Sequence, residues 1–192
     1  LLSQPFLKII HKLNENSVKG SRKNIARHYD LSNDFFSLFL DKNMMYSSAI
    51  YKTRKTNLEH AAIHKLDVIC KKLNLKKTNH VLEIGTGWGG FAIYAAKNYG
   101  CKVTTTTISI EQYKLAKHRV KEAGLGGQIK VLLKDYRLLK GRYDKLVSIE
   151  MIEAVGYQFY DEYFKSISHL LKDDGDALIQ AITIKDLSLI HI

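Results

Sequence analysis

Closely spaced glycines follow a short apolar segment in the middle of the chain. Residues 81–84 form this segment, and Gly85, Gly87 and Gly89 come directly after it. Glycine lets the backbone turn sharply and lets a ligand approach without meeting a Cβ atom. The helix that we expect to follow would present unpaired backbone amides at its N-terminus. The spacing therefore predicts a strand, a ligand-binding loop and a helix, in that order.

The glycine spacing argues against a dinucleotide site. The dinucleotide fingerprint is G-x-G-x-x-G, with an acidic residue about 20 positions further on that binds the ribose. Here the spacing is G-x-G-x-G, Glu83 precedes the first glycine, and the next predicted strand ends in Thr106 and Thr107. The loop resembles the first motif of class I methyltransferases, which meets the methionine part of S-adenosylmethionine. A purely structural turn is the alternative.

Polar side chains stand where the next two predicted strands end. Thr107 ends one strand, and Ser109 and Gln112 follow in an S-x-x-Q pattern, which is typical of a capping box at a helix start. Gln112 and Thr107 can also reach a ribose or an adenine edge, and the two roles are compatible. Asp135 and Tyr136 end the other strand, where a carboxylate can accept from an adenine amine and a ring can stack on the base. An exposed turn is the alternative for this pair.

Hydrophobic periodicity predicts alternating strands and helices around these residues. Strands are predicted at residues 80–84, 102–108, 128–133, 145–149 and 176–182, and helices at 57–73, 91–98, 109–123 and 160–171. This alternation implies right-handed crossovers and a parallel sheet, which binds ligands at the carboxyl ends of its strands. Apolar spacing over residues 6–13, and a short helix beginning at Ser32 or Asn33, predict an N-terminal helical extension.

Composition and charge set the broad class of the protein. The chain has 192 residues, 45% of them hydrophobic, and one proline, which is a globular composition. Two cysteines, Cys70 and Cys101, are too few for a disulfide framework. No segment reaches the ~20 apolar residues that span a bilayer. The net charge of +11 favours a polyanionic partner, either nucleic acid or an anionic membrane surface.

Four segments in register resemble one enzyme family. They are HYDLSNDFF at residues 28–36, MYSSA at 45–49, TIS-x-EQ at 107–112 and SIEMIEAVG at 148–156. Each is similar to a segment of the cyclopropane-fatty-acid synthases and mycolic acid methyltransferases. The resemblance implies an α/β, Rossmann-like class I methyltransferase fold, with a mostly parallel sheet and flanking helices. It also implies S-adenosylmethionine as cofactor and no metal ion.

The resemblance further implies a reaction and a set of site residues. In this family the sulfonium methyl adds to a cis double bond of a phospholipid acyl chain, and a base, usually bicarbonate, removes a proton so that the ring closes. By resemblance, Ser48 and Ile149 give backbone contacts to bicarbonate, and Glu153 orients it or accepts a proton. A helix-start acid is the alternative for Glu153. The residues implied at the cofactor are Tyr46, Ser47, Glu83, Gly85, Gly87, Gly89, Thr107, Gln112, Asp135 and Tyr136, with Arg137 beside them.

The chain departs from the family pattern in three places. Gln180 stands where many members have a histidine that touches bicarbonate, and Ala154 replaces another common histidine. Because glutamine does not titrate, the product is expected to be a cyclopropane or a methyl-branched chain. Family members continue beyond this chain, so we expect the last strands to be missing. The expected organisation is a helical or lid segment at 1–56, an incomplete cofactor-binding domain at 57–184, and a tail unlike the family at 185–192.

The predicted function is S-adenosylmethionine-dependent methyl or methylene transfer to an unsaturated phospholipid. A cytoplasmic protein that contacts an anionic membrane peripherally fits the basic residues near the N-terminus. These are Lys8, Lys12, Lys19, Arg22, Lys23 and Arg27. The alternatives are a class I methyltransferase of another small molecule and an inactive fragment that binds the cofactor or a membrane. A nucleic-acid partner is not expected, because no recognition module is found.

Overall fold

The structure is a computed structural model that describes residues 33–184. The helix predicted within residues 6–13, the basic residues near the N-terminus and the tail at 185–192 lie outside the described residues. The helices are α1 (Asn33–Ser37), α2 (Leu58–Lys72), α3 (Gly90–Tyr99), α4 (Ile110–Glu122) and α5 (Tyr160–Leu170). The strands are β1 (His80–Ile84), β2 (Lys102–Thr107), β3 (Ile129–Leu133), β4 (Tyr143–Ile149) and β5 (Leu171–Gln180).

The five strands form one parallel sheet in the order β3-β2-β1-β4-β5. The predicted α/β domain with a parallel sheet is therefore confirmed. β1 lies at the centre, and the chain runs outward from it first to β2 and β3 and then, on the other side, to β4 and β5. A crevice opens at such a reversal of strand order, outside the carboxyl ends of the strands. The glycine loop after β1 lies at this position.

Side-chain caps fix the starts of two helices, and the sequence predicted one of these caps. Asn57 precedes α2 and accepts from the amide of His60 at 2.9 Å. Ser109 precedes α4 and accepts from the amide of Gln112 at 3.3 Å, so the predicted helix start is confirmed. Each cap satisfies an amide that has no partner within its own helix, which stabilises the helix by about 1 kcal/mol.

The fifth strand differs from its predicted position at residues 176–182. It begins at Leu171, which pairs with Tyr143, and the register then shifts so that Asp176 pairs with Lys145. The strand ends at Gln180, which pairs with Ile149. Hydrophobic periodicity did not predict the first part of the strand, because the residues between Leu171 and Asp176 are polar and bury little apolar surface although their backbone is extended.

Two hydrophobic clusters pack against opposite faces of the sheet. One includes Val81 of β1 with Leu66 and Phe91 of the helices. The other includes Leu82 of β1 with Tyr163 of α5. Successive side chains of a strand point to opposite faces, so β1 is fully buried between the two layers and holds the glycine loop firmly. Within residues 33–184, none of the helices is both long and apolar enough to cross a membrane.

Candidate active site

A cavity of about 640 Å³ lies at the carboxyl ends of β1, β2, β3 and β4. Its size is typical of a site for a small organic molecule. The predicted residues that line it are Tyr46, Ser47, Glu83, Gly85, Gly87, Thr107, Gln112, Asp135, Tyr136, Arg137, Ile149 and Glu153. Gly89, Ser48 and Gln180 do not line it. The structure therefore brings most of the predicted residues to one cavity and places these three outside its lining.

The glycine loop combines open space with close packing. Gly87 has a φ of +50°, and a Cβ atom added there would meet no atom within 4 Å, so a ligand can approach its backbone. Gly89 has a φ of +86° and precedes α3, and its added Cβ would lie 3.4 Å from the Cβ of Ala116. Gly89 therefore lets the start of α3 pack closely on α4, and its contact with the cofactor stays a prediction.

A segment of residues 41–48, the covering segment, lies over this loop. The buried carboxylate of Asp41 accepts from the amides of Asn43 and Met45, both at 3.0 Å, and so folds the segment onto itself. Arg119 of α4 donates to the carbonyl of Asn43 at 3.1 Å and to that of Trp88 at 2.7 Å. Burial lowers the pKa of this guanidinium. Arg119 thus ties the covering segment to the glycine loop, a role that sequence analysis missed.

Aromatic residues of α1 dock on the same loop. The indole N–H of Trp88 donates to the side chain of Asn33 at 2.7 Å. The ring of Phe36 lies 4.9 Å from that of Trp88 and 5.6 Å from that of Tyr46, measured between centroids. The described part of the segment at 28–36 therefore helps to place Tyr46 at the cavity.

Two pairs of polar side chains line the cavity next to the carboxyl ends of β2 and β3. Thr107 Oγ1 donates to Gln112 Oε1 at 2.8 Å, so each orients the other. The carboxylate of Asp135 accepts from Arg137 Nε at 2.9 Å and from Arg137 Nη2 at 2.8 Å, and both side chains are buried. This hydrogen bonding raises the pKa of Arg137. The carboxylate of Asp135 thus already binds Arg137, and an adenine amine would have to share this acceptor.

Glu83 is a buried acid at the end of β1. It is 3% exposed, and its carboxyl group accepts from Thr105 Oγ1 at 2.6 Å. Burial raises the pKa of Glu83 to about 8, because a carboxylate loses its hydration in this position. The side chain is therefore mostly protonated at neutral pH and can ionise when a cation enters the cavity.

Glu150, directly after β4, was not predicted as a site residue. Its Oε1 accepts from the amide of Ser48 at 3.0 Å, from the hydroxyl of Ser48 at 2.9 Å and from Nε2 of Gln180 at 2.7 Å. Its φ is +47°, a left-handed conformation that disfavours a non-glycine residue by about 1–2 kcal/mol. The sequence feature that could have predicted Glu150 as a site residue is its position as an acid at a strand end, inside the segment at 148–156. Glu153, three residues on, accepts from the amide of Ile182 at 2.6 Å.

Lys65 is a third residue that the sequence did not reveal. It lies on α2, is 1% exposed, and donates through Nζ to the carbonyl and hydroxyl oxygens of Ser47. Burial lowers the pKa of Lys65 to about 8, and the negative charges of Glu150 and Asp41 oppose this shift. The buried ammonium group therefore fixes the covering segment next to Glu150.

Comparison with known proteins agrees with this geometry. The sequence model of the family described as mycolic acid cyclopropane synthetase matches residues 16–191. The tuberculostearic acid methyltransferase of Mycobacterium tuberculosis is 43% identical over 176 residues, which are 88% of this chain and 41% of that protein. The cyclopropane-fatty-acyl-phospholipid synthase of Escherichia coli is 46% identical over 162 residues, which are 84% of this chain and 41% of that protein. This chain thus spans about two fifths of the length of these relatives.

Solved structures give the same answer for the fold. A cyclopropane synthase from Mycobacterium tuberculosis superposes with a TM-score of 0.83 at 31% identity, covering 88% of this chain and 60% of that one. A mycolic acid cyclopropane synthase complexed with SAH and CTAB also gives 0.83, at 34% identity and the same coverage. The predicted class I methyltransferase fold and the predicted resemblance are both confirmed. The chain belongs to the mycolic acid cyclopropane synthetase family.

Proposed function

We propose that the protein transfers the methyl group of S-adenosylmethionine to the cis double bond of an unsaturated phospholipid acyl chain, giving a cyclopropane or a methyl-branched chain that keeps a double bond. The observation that carries this proposal is a single cavity where the glycine loop, the covering segment and the acids after β4 meet, in a chain of this family. The names of two similar proteins, cyclopropane-fatty-acyl-phospholipid synthase and tuberculostearic acid methyltransferase, refer to a phospholipid acyl chain and to a fatty acid. A methyltransferase that acts on another small molecule would not need a cavity of this kind in a chain of this family.

The residues at the cavity fit S-adenosylmethionine. When bound, this cofactor supplies an electrophilic methyl group on a positively charged sulfur. Gly85 and Gly87 leave space for its amino-acid part, and Glu83 offers a carboxyl group that ionises beside a positive charge. Thr107 and Gln112 offer hydrogen-bonding groups for a ribose, and Tyr136 a ring for the base. The similar structure solved with SAH supports the assignment.

Apolar side chains complete the cavity beside the acids. A carbocation on an acyl chain survives only where water is excluded, and an apolar wall also aligns the alkene with the methyl group. The apolar side chains that line the cavity are Met45, Ile84, Phe91, Ile149, Met151, Val155 and Ile182. This composition suits a lipid tail better than a polar substrate.

The residues do not fit the bicarbonate ion that the resemblance implies. Ser48, Ile149, Glu153 and Gln180 were expected to hold the ion. Ser48 and Gln180 instead donate to the carboxylate of Glu150, and Glu153 accepts from the amide of Ile182. An added anion would compete with this carboxylate for the same donors and would be repelled by its charge. No step of the proposed reaction therefore passes through bicarbonate.

Contact with an anionic membrane and a cytoplasmic location also form part of the proposal. The net charge of +11 favours anionic headgroups. On and just after α1, which precedes the covering segment in the chain, Phe35, Leu38 and Phe39 are exposed, with Leu38 82% exposed. Exposed apolar side chains next to a lipid site can enter the outer layer of a bilayer.

Cofactor binding is tested first with two matched glycine variants. Gly87→Asp places a carboxylate in the open space beside the loop, whereas Gly124→Asp makes the same change at a φ of +70° in an exposed turn, also with no atom within 4 Å of its added Cβ. In calorimetric titration with S-adenosylmethionine, we expect saturable binding by the wild type and by Gly124→Asp, and a loss of at least about tenfold in affinity for Gly87→Asp. Equal binding by both variants, or no binding by a folded wild-type chain, would refute the cofactor site.

Turnover is tested on vesicles that contain phospholipids with cis-unsaturated acyl chains. We expect each modified acyl chain to gain one carbon and two hydrogens by mass spectrometry, with none on saturated vesicles. Transfer of the methyl group only to soluble small molecules would favour the alternative methyltransferase function.

A further inference from the structure

We propose that the carboxylate of Glu150 is the base of the reaction and occupies the place that the family resemblance assigns to bicarbonate. This inference rests on the proposed function. It concerns a residue to which neither the glycine loop nor the family resemblance assigned a role.

The hydrogen bonds around Glu150 form a ready-made site for one anion. The amide and hydroxyl of Ser48 and the side-chain amide of Gln180 converge on Oε1 over distances of 2.7–3.0 Å. Ser48 and Gln180 do not line the cavity, whereas Glu150 does. The carboxylate therefore stands between these donors and the substrate space, where a proton-accepting anion is required.

The backbone of Glu150 supports a functional role. Its φ of +47° is a conformation that glycine adopts freely and that a glutamate adopts at an energetic disadvantage. Strained residues of this kind concentrate at functional sites, where the surrounding contacts hold them in place. Here the hydrogen bonds from Ser48 and Gln180 supply those contacts.

Gln180 is explained by the same arrangement. A glutamine amide donates a hydrogen bond at every pH, so it is a constant partner for a carboxylate, whereas a neutral histidine offers only one N–H. The departure of residue 180 from the family pattern thus belongs with the acid at residue 150. Nearby, the ammonium group of Lys65 fixes Ser47, and Glu153 binds the amide of Ile182. Glu150 is therefore the acid whose donors match those assigned to bicarbonate.

The proposed step balances without any further reactant. As the carbon–carbon bond forms between the transferred methyl group and one alkene carbon, the sulfur–carbon bond breaks and positive charge is left on the other alkene carbon. Glu150 accepts a proton from the added methyl group, and the electron pair of that C–H bond closes the three-membered ring. The neutral carboxylic acid then returns its proton to solvent.

Binding of carbon-13-labelled bicarbonate gives a test that does not depend on turnover. The comparison uses the wild type, Glu150→Gly, and the exposed control Glu122→Gln on α4. Glycine suits the φ at residue 150 and removes the carboxylate, which leaves the donors of Ser48 and Gln180 available. By NMR line broadening we expect saturable binding to Glu150→Gly alone. Binding to the wild type, or none to Glu150→Gly, would overturn the shared site.

Rates on unsaturated vesicles, in buffer freed of carbon dioxide and with bicarbonate restored, test the role as base. We expect the wild-type rate to be unchanged by bicarbonate, Glu150→Gln to lower kcat about 100-fold or more, and bicarbonate to restore part of the activity of Glu150→Gly. Stimulation of the wild type by bicarbonate, or a kcat for Glu150→Gln within about threefold of wild type, would overturn the assignment. A folded wild type without turnover would instead refute the proposed function, and the labelled-bicarbonate experiment would still decide the assignment of the anion site.

Discussion

Replacing Glu83 with glutamine should change how the stability of the protein depends on pH. Burial raises the pKa of Glu83 from an ordinary 4.5 to about 8. Folding therefore strengthens proton binding, and the resulting stability is complete below pH 4.5 and is lost as the pH rises through about 8. Each pH unit in this interval lowers the free energy of unfolding by about 1.4 kcal/mol. The whole interval corresponds to about 5 kcal/mol, which the uncharged Glu83→Gln side chain should not lose.

Urea unfolding followed by the fluorescence of Trp88, the only tryptophan of the chain, measures this difference. We expect Glu83→Gln and wild type to have similar unfolding free energies near pH 5, and the variant to be more stable by several kcal/mol near pH 8. Glu111→Gln serves as the control, because it makes the same change at an exposed position whose ion-pair partner is a lysine. A constant difference between Glu83→Gln and wild type over this range would refute the argument that burial holds a proton on Glu83.

Two further predictions concern the contact between the covering segment and the glycine loop. In Gly90→Ala the added Cβ would lie 2.6 Å from Met45 Sδ and 2.7 Å from the carbonyl oxygen of Asn43, so we expect the free energy of unfolding, measured by thermal unfolding, to fall by about 1–3 kcal/mol. In the control Gly126→Ala no atom lies within 4 Å of the added Cβ, so its stability should be close to that of the wild type. Equal losses of stability in the two variants would contradict the clash. In Arg119→Lys the forked contacts with the backbone carbonyls of Asn43 and Trp88 are lost. We therefore expect amide hydrogen exchange over residues 41–47 to accelerate and the affinity for S-adenosylmethionine to fall about tenfold. Unchanged exchange would show that Arg119 does not hold the covering segment.

The sequence predicted the central part of the fold because local patterns and tertiary packing agree there. β1 has apolar side chains on both faces and is buried in the middle of the sheet, so its apolar run marked it clearly. α4 carries its cap at Ser109, which located its start to the residue. β5 lies at the edge of the described sheet, with one neighbouring strand and a polar first half. Its start depends on pairing with Tyr143, which no local pattern contains.

The site divides along the same line. Residues that belong to a local motif, such as Gly87 and Gln112, were correctly predicted to lie at one site, because the motif and its position in the fold coincide at the cavity. Arg119, Lys65 and Glu150 act through contacts with residues far away in the sequence, and their side chains are unremarkable in their own segments. An arginine or lysine in a helix usually faces solvent, so only the packed structure shows that Lys65 is buried and that Arg119 is partly buried.

Three glutamates line the cavity, and each is held in a different way. Glu83 keeps a proton through burial, Glu150 is held by donors from Ser48 and Gln180, and Glu153 binds a backbone amide. Three bare carboxylates would repel one another in an empty site. Because a neighbouring positive charge lowers the pKa of a carboxyl group, a cationic ligand in the cavity would favour the negative form of Glu83. Glu150 is already bound as an acceptor and remains available for a proton from the substrate. Burial thus suits Glu83 to balance the positive charge of the cofactor, whereas hydrogen bonding suits Glu150 to the proposed role of base.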